Sequence, residues 1–264
     1  PELFQLNENL KQTSVAGCPP DAVSDDGQKW GNPLYDWEEH KRTGFAWWKK
    51  RMQACARLYD LTRIDHFIGI VRYYCIPYEQ SAKNGWYEKG PGIDLVNAIN
   101  EAIGDAKVIA EDLGVTGPDV EALLKESGFP GMKELEVAFD GNPKNDHLPP
   151  FHKKHGVVYI GTHDNETLKG HLLHESREKL SYMMQYLGAD RKDEIIRKMI
   201  RVLYMSVSDI VVLQMQDILE KDNRARMNFP STIGDNWKWR LQKGEFGEIL
   251  CRELERLAYL YNRK

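Results

Sequence analysis

The sequence predicts an α/β fold in which helices connect parallel strands. Short apolar runs alternate along the chain with stretches of helical periodicity, and this alternation is typical of a parallel sheet with helical crossovers. The apolar runs are continuous, as expected for strands that are buried on both faces. Polar residues follow these runs, and enzymes built on a (β/α) barrel carry their chemistry at the carboxyl ends of the strands. A (β/α) barrel therefore fits the pattern.

The first part of the chain contains the first predicted strand. Residues 1–36 are predicted to be loop, because turn-forming residues cluster there, as in Cys18-Pro19-Pro20-Asp21. Apolar residues spaced among polar ones predict a helix over 37–58. The first strand is expected within 58–67, and a helix over 94–103 follows it.

Four more strands and three more helical regions are predicted in the rest of the chain. The strands are expected from short apolar runs at 107–110, 135–139, 157–160 and 210–214. One helix is expected to begin near Pro118, which suits a first helical turn. A second helical region is expected in the charged stretch 175–205, and a third helix in the amphipathic tail 245–261. Five strands are fewer than the about eight of a closed barrel.

Composition excludes several classes of protein. The chain has 264 residues, of which 41% are hydrophobic and 29% are charged, a balance that argues against disorder. Its 36 Lys and Arg against 40 Asp and Glu give a net charge of −4, which is not the basic footprint of a nucleic-acid-binding protein. No apolar run is long enough to cross a membrane. None of the four cysteines forms a CxxC pair, so reduced thiols and a cytoplasmic location are expected.

Three carboxylates follow predicted strands, and they suggest chemistry on sugars. Asp65, Glu111 and Asp164 each end an apolar run, and His66 and His163 flank two of them. Retaining glycosidases need one ionised carboxylate as nucleophile and a protonated carboxyl about 5 Å away as acid and base. The same residues leave two other interpretations open. The carboxylates could be helix caps or loop charges, or they could bind a divalent metal ion together with the histidines.

Three segments around these carboxylates resemble one enzyme family. Arg-Ile-Asp-His-Phe at 63–67, Ala-Glu-Asp-Leu-Gly at 110–114 and Gly-Thr-His-Asp-Asn at 161–165 are similar to the three catalytic segments of the 4-α-glucanotransferases. These enzymes, also called amylomaltases or disproportionating enzymes, form glycoside hydrolase family 77. The resemblance implies a (β/α)8 TIM barrel, of which residues 1–264 would be the C-terminal part with about strands 4 to 8. A missing N-terminal segment of the same enzyme is then an expected partner.

The resemblance also implies roles for individual residues. Asp65 would be the nucleophile, Glu111 the acid and base, and Asp164 the residue that holds the distorted donor sugar. The other substrate-binding residues that the resemblance implies are Arg63, His66, His163, Gln28, Trp30, Asp140 and Asn228. The loop at about 18–36 would cover the site, with Trp30 helping to keep water out. No metal, nucleotide or redox cofactor is expected.

The function implied is the retaining transfer of α-1,4-glucan segments, from maltodextrin or starch-derived glucans, to an acceptor glucan or glucose. Two alternatives stay open. The protein could instead hydrolyse α-glucans, or it could be a non-catalytic remnant that binds glucan, because the N-terminal strands of the barrel are absent.

Overall fold

The computed structural model describes residues 1–20, 24–114, 117–230 and 232–263. The chain divides into two compact units, Pro1–Gly131 and Met132–Lys264. No helix among the described residues is long and apolar enough to cross a membrane.

Nine strands and ten α-helices are defined in the described part of the chain. The strands are β1 (Ser14–Cys18), β2 (Gln28–Pro33), β3 (Leu61–Ile64), β4 (Arg72–Pro77), β5 (Trp86–Lys89), β6 (Lys107–Ala110), β7 (Gly131–Glu134), β8 (Gly156–Tyr159) and β9 (Ile210–Val212). The helices are α1 (Trp37–Arg42), α2 (Ala46–Leu58), α3 (Ile68–Val71), α4 (Ile93–Ile103), α5 (Pro118–Ser127), α6 (Leu168–His174), α7 (Arg177–Leu187), α8 (Ile195–Met205), α9 (Met215–Ile218) and α10 (Glu248–Leu260).

An antiparallel sheet of four strands, in the order β2-β1-β4-β5, forms part of the first unit. The prediction that residues 1–36 are loop is therefore wrong, because β1 and β2 both lie in that range. Residues 21–23, inside the proposed covering loop, lie outside the described residues. The turn clusters misled the prediction because two of them reach into strands: Cys18 ends β1, and residues 31–33 lie in β2. Gly17 permits the close pairing of β1 with β2, because a Cβ there would lie 2.1 Å from the Gln28 carbonyl oxygen.

A parallel pair, β3 and β6, provides the other strands of the first unit. Ile64 pairs with Ala110 at its end, so the residues that follow, Asp65 and Glu111, leave the same end of both strands. Helix α4 buries Leu95, Val96 and Ile99 in the core of this unit. The apolar spacing on α4 is that of a helix with one buried face.

The helix predicted over 37–58 is interrupted. It divides into α1 and α2, because Gly44 and Phe45 both have a left-handed backbone, with φ of +60° and +55°. Phe45 is buried, and its contribution to the core stabilises the break.

The second unit contains a three-stranded sheet in the order β7-β8-β9. Strands β8 and β9 are parallel, with Tyr159 opposite Val212. The strand predicted at 135–139 is wrong, since β7 lies four residues earlier and 136–138 form a 3₁₀ turn. The apolar run is nevertheless buried, as Leu135 and Phe139 are completely enclosed in the core.

Helices surround this sheet and complete the second core. Helix α8 buries Ile195, Met199 and Leu203 at successive turns. The charged region predicted as helical over 175–205 consists of α7, a 3₁₀ turn and α8.

The described strands form three separate sheets of four, two and three strands, and together they do not form a closed barrel. The parallel pairs and the connecting helices make the chain an α/β protein, as predicted. The antiparallel sheet is the feature that the predicted strand pattern did not include.

Candidate active site

Glu111 lies at the centre of the candidate site in the first unit. It directly follows β6, and its backbone N–H donates to the Ile64 carbonyl oxygen at 2.9 Å. Its side chain accepts two backbone hydrogen bonds, from His66 N to Oε2 at 2.6 Å and from Leu113 N to Oε1 at 2.8 Å. These bonds fix the orientation of the carboxyl group at the end of the parallel pair.

The surroundings of Glu111 favour its protonated form. Burial raises the pKa of the Glu111 carboxyl, and the Asp65 charge adds to the rise. The hydrogen bonds from Leu113 and His66, and the Arg63 charge, act in the opposite direction. The net effect is a raised pKa, which is the property that a general acid needs near neutral pH.

Asp65 is the accessible carboxylate beside Glu111. Its side chain is 75% exposed, and Arg63 on β3 holds it with an Nη1–Oδ1 distance of 2.5 Å. A charge-assisted contact of this kind orients a carboxylate while leaving its other oxygen open. The Arg63–Asp65 pair therefore presents an anion to solvent next to a buried acid.

His66 connects Asp65 with Glu111 through a strained backbone. Its φ is +49°, a conformation that costs energy in any residue except glycine and persists only where its surroundings enforce it. The bond from His66 N to Glu111, and the fully buried Phe67 that follows, supply that enforcement. Gly69 permits the position of the ring, because a Cβ there would lie 3.2 Å from His66 Cδ2. Burial lowers the pKa of the His66 imidazole.

An aromatic pocket of about 210 Å³ opens beside Asp65 and His66. The Trp30 and His66 rings are nearly perpendicular, with an interplanar angle of 87° and their centroids 4.9 Å apart. Trp30 Nε1 also donates to Gln28 Oε1 at 3.1 Å. Aromatic side chains with a polar partner suit a sugar ring, which has apolar faces and polar edges. The pocket is further lined by Tyr35, Trp37, Trp48, Tyr73 and Tyr74.

A tight turn in the second unit carries His163 and Asp164. Asn165 Oδ1 accepts from both Thr162 N at 3.0 Å and Thr162 Oγ1 at 2.8 Å. Gln214 Nε2 donates to the carbonyl oxygens of Gly161 and Thr162. The turn 162–165 is thereby held by side chains both within it and from the segment after β9.

Asp164 itself is held by three neighbours. Asn228 Nδ2 donates to its Oδ1 at 2.6 Å, and His163 Nε2 lies 3.3 Å from its Oδ2. Arg226 Nη2 donates to its main-chain oxygen at 2.6 Å. Trp237 packs on the His163 ring with a centroid distance of 4.9 Å. Asp164 is thus an oriented, half-exposed carboxylate.

The structure brings most of the predicted site residues into two groups. In the first unit, Gln28, Trp30, Arg63, Asp65, His66 and Glu111 are connected by the contacts above. In the second unit, the connected residues are His163, Asp164 and Asn228. Asp140 is exposed, and its Oδ1 accepts from Asn142 N at 2.8 Å; no hydrogen bond among the described residues joins it to His163, Asp164 or Asn228.

Several residues of these groups were not predicted. Arg226 and Trp237 hold Asp164 and His163, and Leu113 contributes only a backbone N–H. Arg226 stands two residues before Asn228, a proximity that was the only sequence signal for it. A backbone donor such as Leu113 N–H leaves no signal in residue type.

A buried acid beside an exposed carboxylate is the pair that retaining enzymes use on glycosides. The comparisons with known proteins agree with that class. Residues 1–245 match the family described as 4-alpha-glucanotransferase, and the chain belongs to this family.

Individual relatives and solved structures are similar over the whole chain. The 4-alpha-glucanotransferase of Clostridium butyricum is 41% identical, with 100% of this chain and 55% of that protein covered. That of Streptococcus pneumoniae is 40% identical, with 100% and 52% covered. The structure of amylomaltase from Streptococcus agalactiae in complex with acarbose is 39% identical with a TM-score of 0.95, and 100% of this chain and 54% of that chain are covered. The chain spans about half the length of these relatives.

Proposed function

We propose that this chain carries the catalytic residues of a 4-α-glucanotransferase that acts on α-1,4-glucans by a retaining mechanism. The observation that carries the proposal is the geometry of Glu111. Two backbone N–H groups hold its carboxyl next to the Arg63–Asp65 pair, and burial favours its protonated form. An acid and an oriented carboxylate at one end of a parallel strand pair are the two groups that retaining chemistry uses.

The first half-reaction transfers a glucosyl unit to the enzyme. An Asp65 carboxylate oxygen attacks the anomeric carbon of the donor, and a glycosyl–Asp65 ester forms as the bond to the leaving 4-oxygen breaks. Glu111 gives its proton to that oxygen and becomes a carboxylate. The second half-reaction reverses these roles. Glu111 takes the proton of an acceptor 4-hydroxyl, which attacks the anomeric carbon and releases Asp65.

Asp164 would hold hydroxyl groups of the distorted donor sugar. The bonds from Asn228 and Arg226 support this role, because they fix the carboxylate before substrate arrives. A hydrogen-bond acceptor that need not reorganise in the transition state is more effective for catalysis. Asp140, His66 and His163 would be further substrate contacts.

Transfer instead of hydrolysis requires that water be kept from the glycosyl–enzyme ester. Trp30 would contribute here, since it packs against His66 and lines the aromatic pocket beside Asp65. The segment at about 18–36 would cover the site.

The proposal also includes the setting of the chain. The chain would be the C-terminal part of a (β/α)8 barrel, in which parallel pairs such as β3–β6 and β8–β9 are neighbouring strands. The remaining strands would come from an N-terminal segment of the same enzyme. The four cysteines, all within the described residues, form no disulfide, which supports a cytoplasmic location, where thiols stay reduced. The donor glucans would be maltodextrins or starch-derived chains.

The test is incubation of the purified chain with maltotriose, with the products separated by chromatography. The expected products are glucose and a series of maltodextrins longer than maltotriose. Asp65→Asn should abolish them, and Glu111→Gln should suppress both half-reactions. Glu101→Gln, which removes an exposed glutamate of α4, is the matched control and should leave the products unchanged.

Other products would decide against the proposal. Glucose and maltose without longer chains would indicate an α-glucan hydrolase. Binding of maltotriose without turnover, unaffected by Glu111→Gln, would indicate a non-catalytic glucan-binding remnant.

A further inference from the structure

A tryptophan with a strained backbone lies beside the site residue His163 in the second unit. The φ of Trp237 is +63°, in the left-handed region that a bulky side chain rarely adopts and that glycine adopts freely. The Trp237 side chain is 52% exposed, so complete burial of a large apolar group does not account for this conformation. The proposed reaction has given Trp237 no part.

Backbone strain also occurs in the other group of site residues. His66, which follows Asp65, has a φ of +49°. Residues in unfavourable backbone conformations persist only where neighbouring contacts enforce them, and such residues concentrate at functional sites. The contacts that hold Trp237, and the group that its indole touches, therefore indicate what its strain provides.

Hydrogen bonds from the preceding segment enforce the backbone conformation of Trp237. The Trp237 N–H donates to the Met227 carbonyl oxygen at 2.7 Å. The side chain of Asn236, the residue before it, accepts from Phe229 N at 2.9 Å and donates to the Thr232 carbonyl oxygen at 3.1 Å. Both residues are thus tied to positions between 227 and 232, and these bonds offset the cost of the left-handed φ.

The residues that hold Trp237 also hold Asp164. Arg226 Nη2 donates to the main-chain oxygen of Asp164 at 2.6 Å, and Asn228 Nδ2 donates to its Oδ1 at 2.6 Å. Met227, which lies between these two residues in sequence, accepts the Trp237 N–H. Three consecutive residues therefore fix the positions of Asp164 and Trp237 together.

The Trp237 indole packs on the imidazole of His163. The ring centroids are 4.9 Å apart and the ring planes are inclined by 41°. His163 Nε2 lies 3.3 Å from Asp164 Oδ2, and the His163 side chain is 38% exposed. Removal of the indole would uncover one side of the imidazole, and the ring could then rotate about its side-chain bonds to other rotamers.

We propose that Trp237 is a positioning residue for His163: its strained backbone is retained because it aims the indole at the imidazole and fixes that ring for the donor sugar. The role toward the sugar rests on the proposed function, in which His163 is a substrate contact. The packing of Trp237 on His163 does not depend on that function. Strain that supports a site lowers stability, so relief of the strain together with loss of the indole should separate stability from activity.

Three substitutions at Trp237 separate the strain from the indole. Trp237→Gly and Trp237→Ala both remove the indole, but only glycine also relieves the left-handed backbone. Trp237→Phe keeps an aromatic ring in place. The Tm of Trp237→Gly should therefore be about 2–4 °C above that of Trp237→Ala.

Leu10 offers a matched control for the backbone effect. It has a φ of +58°, is 65% exposed and lies in the first unit. Leu10→Gly should likewise have a higher Tm than Leu10→Ala, and both should keep the wild-type transfer rate.

The mobility of the His163 ring tests the positioning role without any ligand. Nuclear magnetic resonance relaxation of its Cδ2–H and Cε1–H groups, assigned from the signals that vanish in His163→Gln, reports whether the ring is fixed. The ring should be fixed in the wild type and in Trp237→Phe, and mobile in Trp237→Gly. A ring that is equally fixed in Trp237→Gly would overturn the proposal.

Transfer from maltotriose connects the ring with the reaction. The kcat/KM of Trp237→Gly and of Trp237→Ala should both fall about tenfold, because a misplaced contact group costs rate even where the fold is intact. Trp237→Phe should keep kcat/KM within about twofold of the wild-type value. If Trp237 were merely structural, activity would follow stability, and the more stable Trp237→Gly would be clearly more active than Trp237→Ala. That result would contradict the proposal.

A double substitution shows whether Trp237 acts through His163. In a His163→Ala background, Trp237→Gly should lower kcat/KM by less than about twofold, since the ring that it positions is already absent. A further tenfold fall would mean that Trp237 acts independently of His163, and would overturn the proposal. If the wild-type chain transfers no glucan, the proposed function fails instead, and the mobility of the His163 ring alone decides the role of Trp237.

Discussion

Glu136→Gln should stabilise the protein increasingly as the pH rises. The Glu136 carboxyl is protonated in the folded protein up to about pH 8, whereas in the unfolded chain it ionises near its ordinary pKa of 4.5. Between these values the folded state binds the extra proton, so the free energy of unfolding falls as the pH increases. Glutamine binds no proton in either state and therefore escapes this loss.

The magnitude follows from the size of the rise. A pKa raised by about 3.5, at about 1.4 kcal/mol for each pH unit, costs the wild type about 5 kcal/mol by pH 8 and above. For a chain of this length that difference corresponds to about 10 °C or more in Tm. Below about pH 4.5 both states are protonated, and this cost is absent.

Thermal unfolding of both proteins at several pH values, followed by circular dichroism, measures the effect. The difference in Tm between Glu136→Gln and the wild type should grow from about pH 5 to pH 8 and then level off. Comparing the two Tm values at each pH cancels the contribution of groups that titrate equally in both proteins. Glu178→Gln serves as the control and should show no such trend. A difference that is constant across this range would refute the assignment of a proton to Glu136.

Three further predictions concern the site and its supports. Trp30→Ala should raise hydrolysis relative to transfer, because water gains access beside His66; an unchanged ratio of glucose to longer maltodextrins would argue against this role. Asn228→Ala should lower the transfer rate about tenfold or more, since a hydrogen bond to a carboxylate contributes about 1.5–3 kcal/mol, with little change in Tm; an unaltered kcat/KM would contradict it. Thr167→Ala should destabilise the protein by about 1–2 kcal/mol, which is more than the loss expected for Ser176→Ala. The reason is that Thr167 caps α6 in the buried core, whereas Ser176 caps α7 at the surface. Equal losses of unfolding free energy in urea denaturation would count against this difference.

The sequence located most of the parallel strands. The apolar runs predicted within 58–67, and at 107–110, 157–160 and 210–214, each coincide with a strand, because continuous apolar sequence is typical of parallel strands. Two of these strands, β3 and β9, are only half-buried. The strand prediction at 135–139 was wrong because an apolar run is not specific to strands. Its side chains are buried around a 3₁₀ turn, whereas β7 before it alternates between buried and half-buried positions, and an apolar run by itself does not distinguish these conformations.

The antiparallel sheet was harder to predict. Strand β2, with the sequence Gln-Lys-Trp-Gly-Asn-Pro, is mostly exposed, so it lacks the apolar pattern of a buried strand. Its pairing with β1, which sets Gly17 opposite Lys29, depends on the small size of Gly17. Turn-forming residues are compatible with such an edge strand.

Local sequence determined which residues would surround the site. Asp65 with Arg63, and Asp164 with His163, are neighbours along the chain, and the ends of predicted strands brought Glu111 into consideration. The partners that orient them are different. The Leu113 N–H is a backbone group, and Arg226 and Trp237 reach the 163–164 turn from more than about 60 positions away along the chain, so residue type alone did not indicate them.

The sequence by itself determined the positions of four strands, β3, β6, β8 and β9, and the chemical type of each carboxyl group. Only the tertiary structure decided which of those groups have a raised pKa. The physical reason is that the pKa of a carboxyl depends on the water it loses and on the charges and N–H groups that face it, and these come from distant parts of the chain. Glu111 and Glu136 are both glutamates after buried strands. The first is held by His66 and Leu113, and the second is enclosed with Asp217.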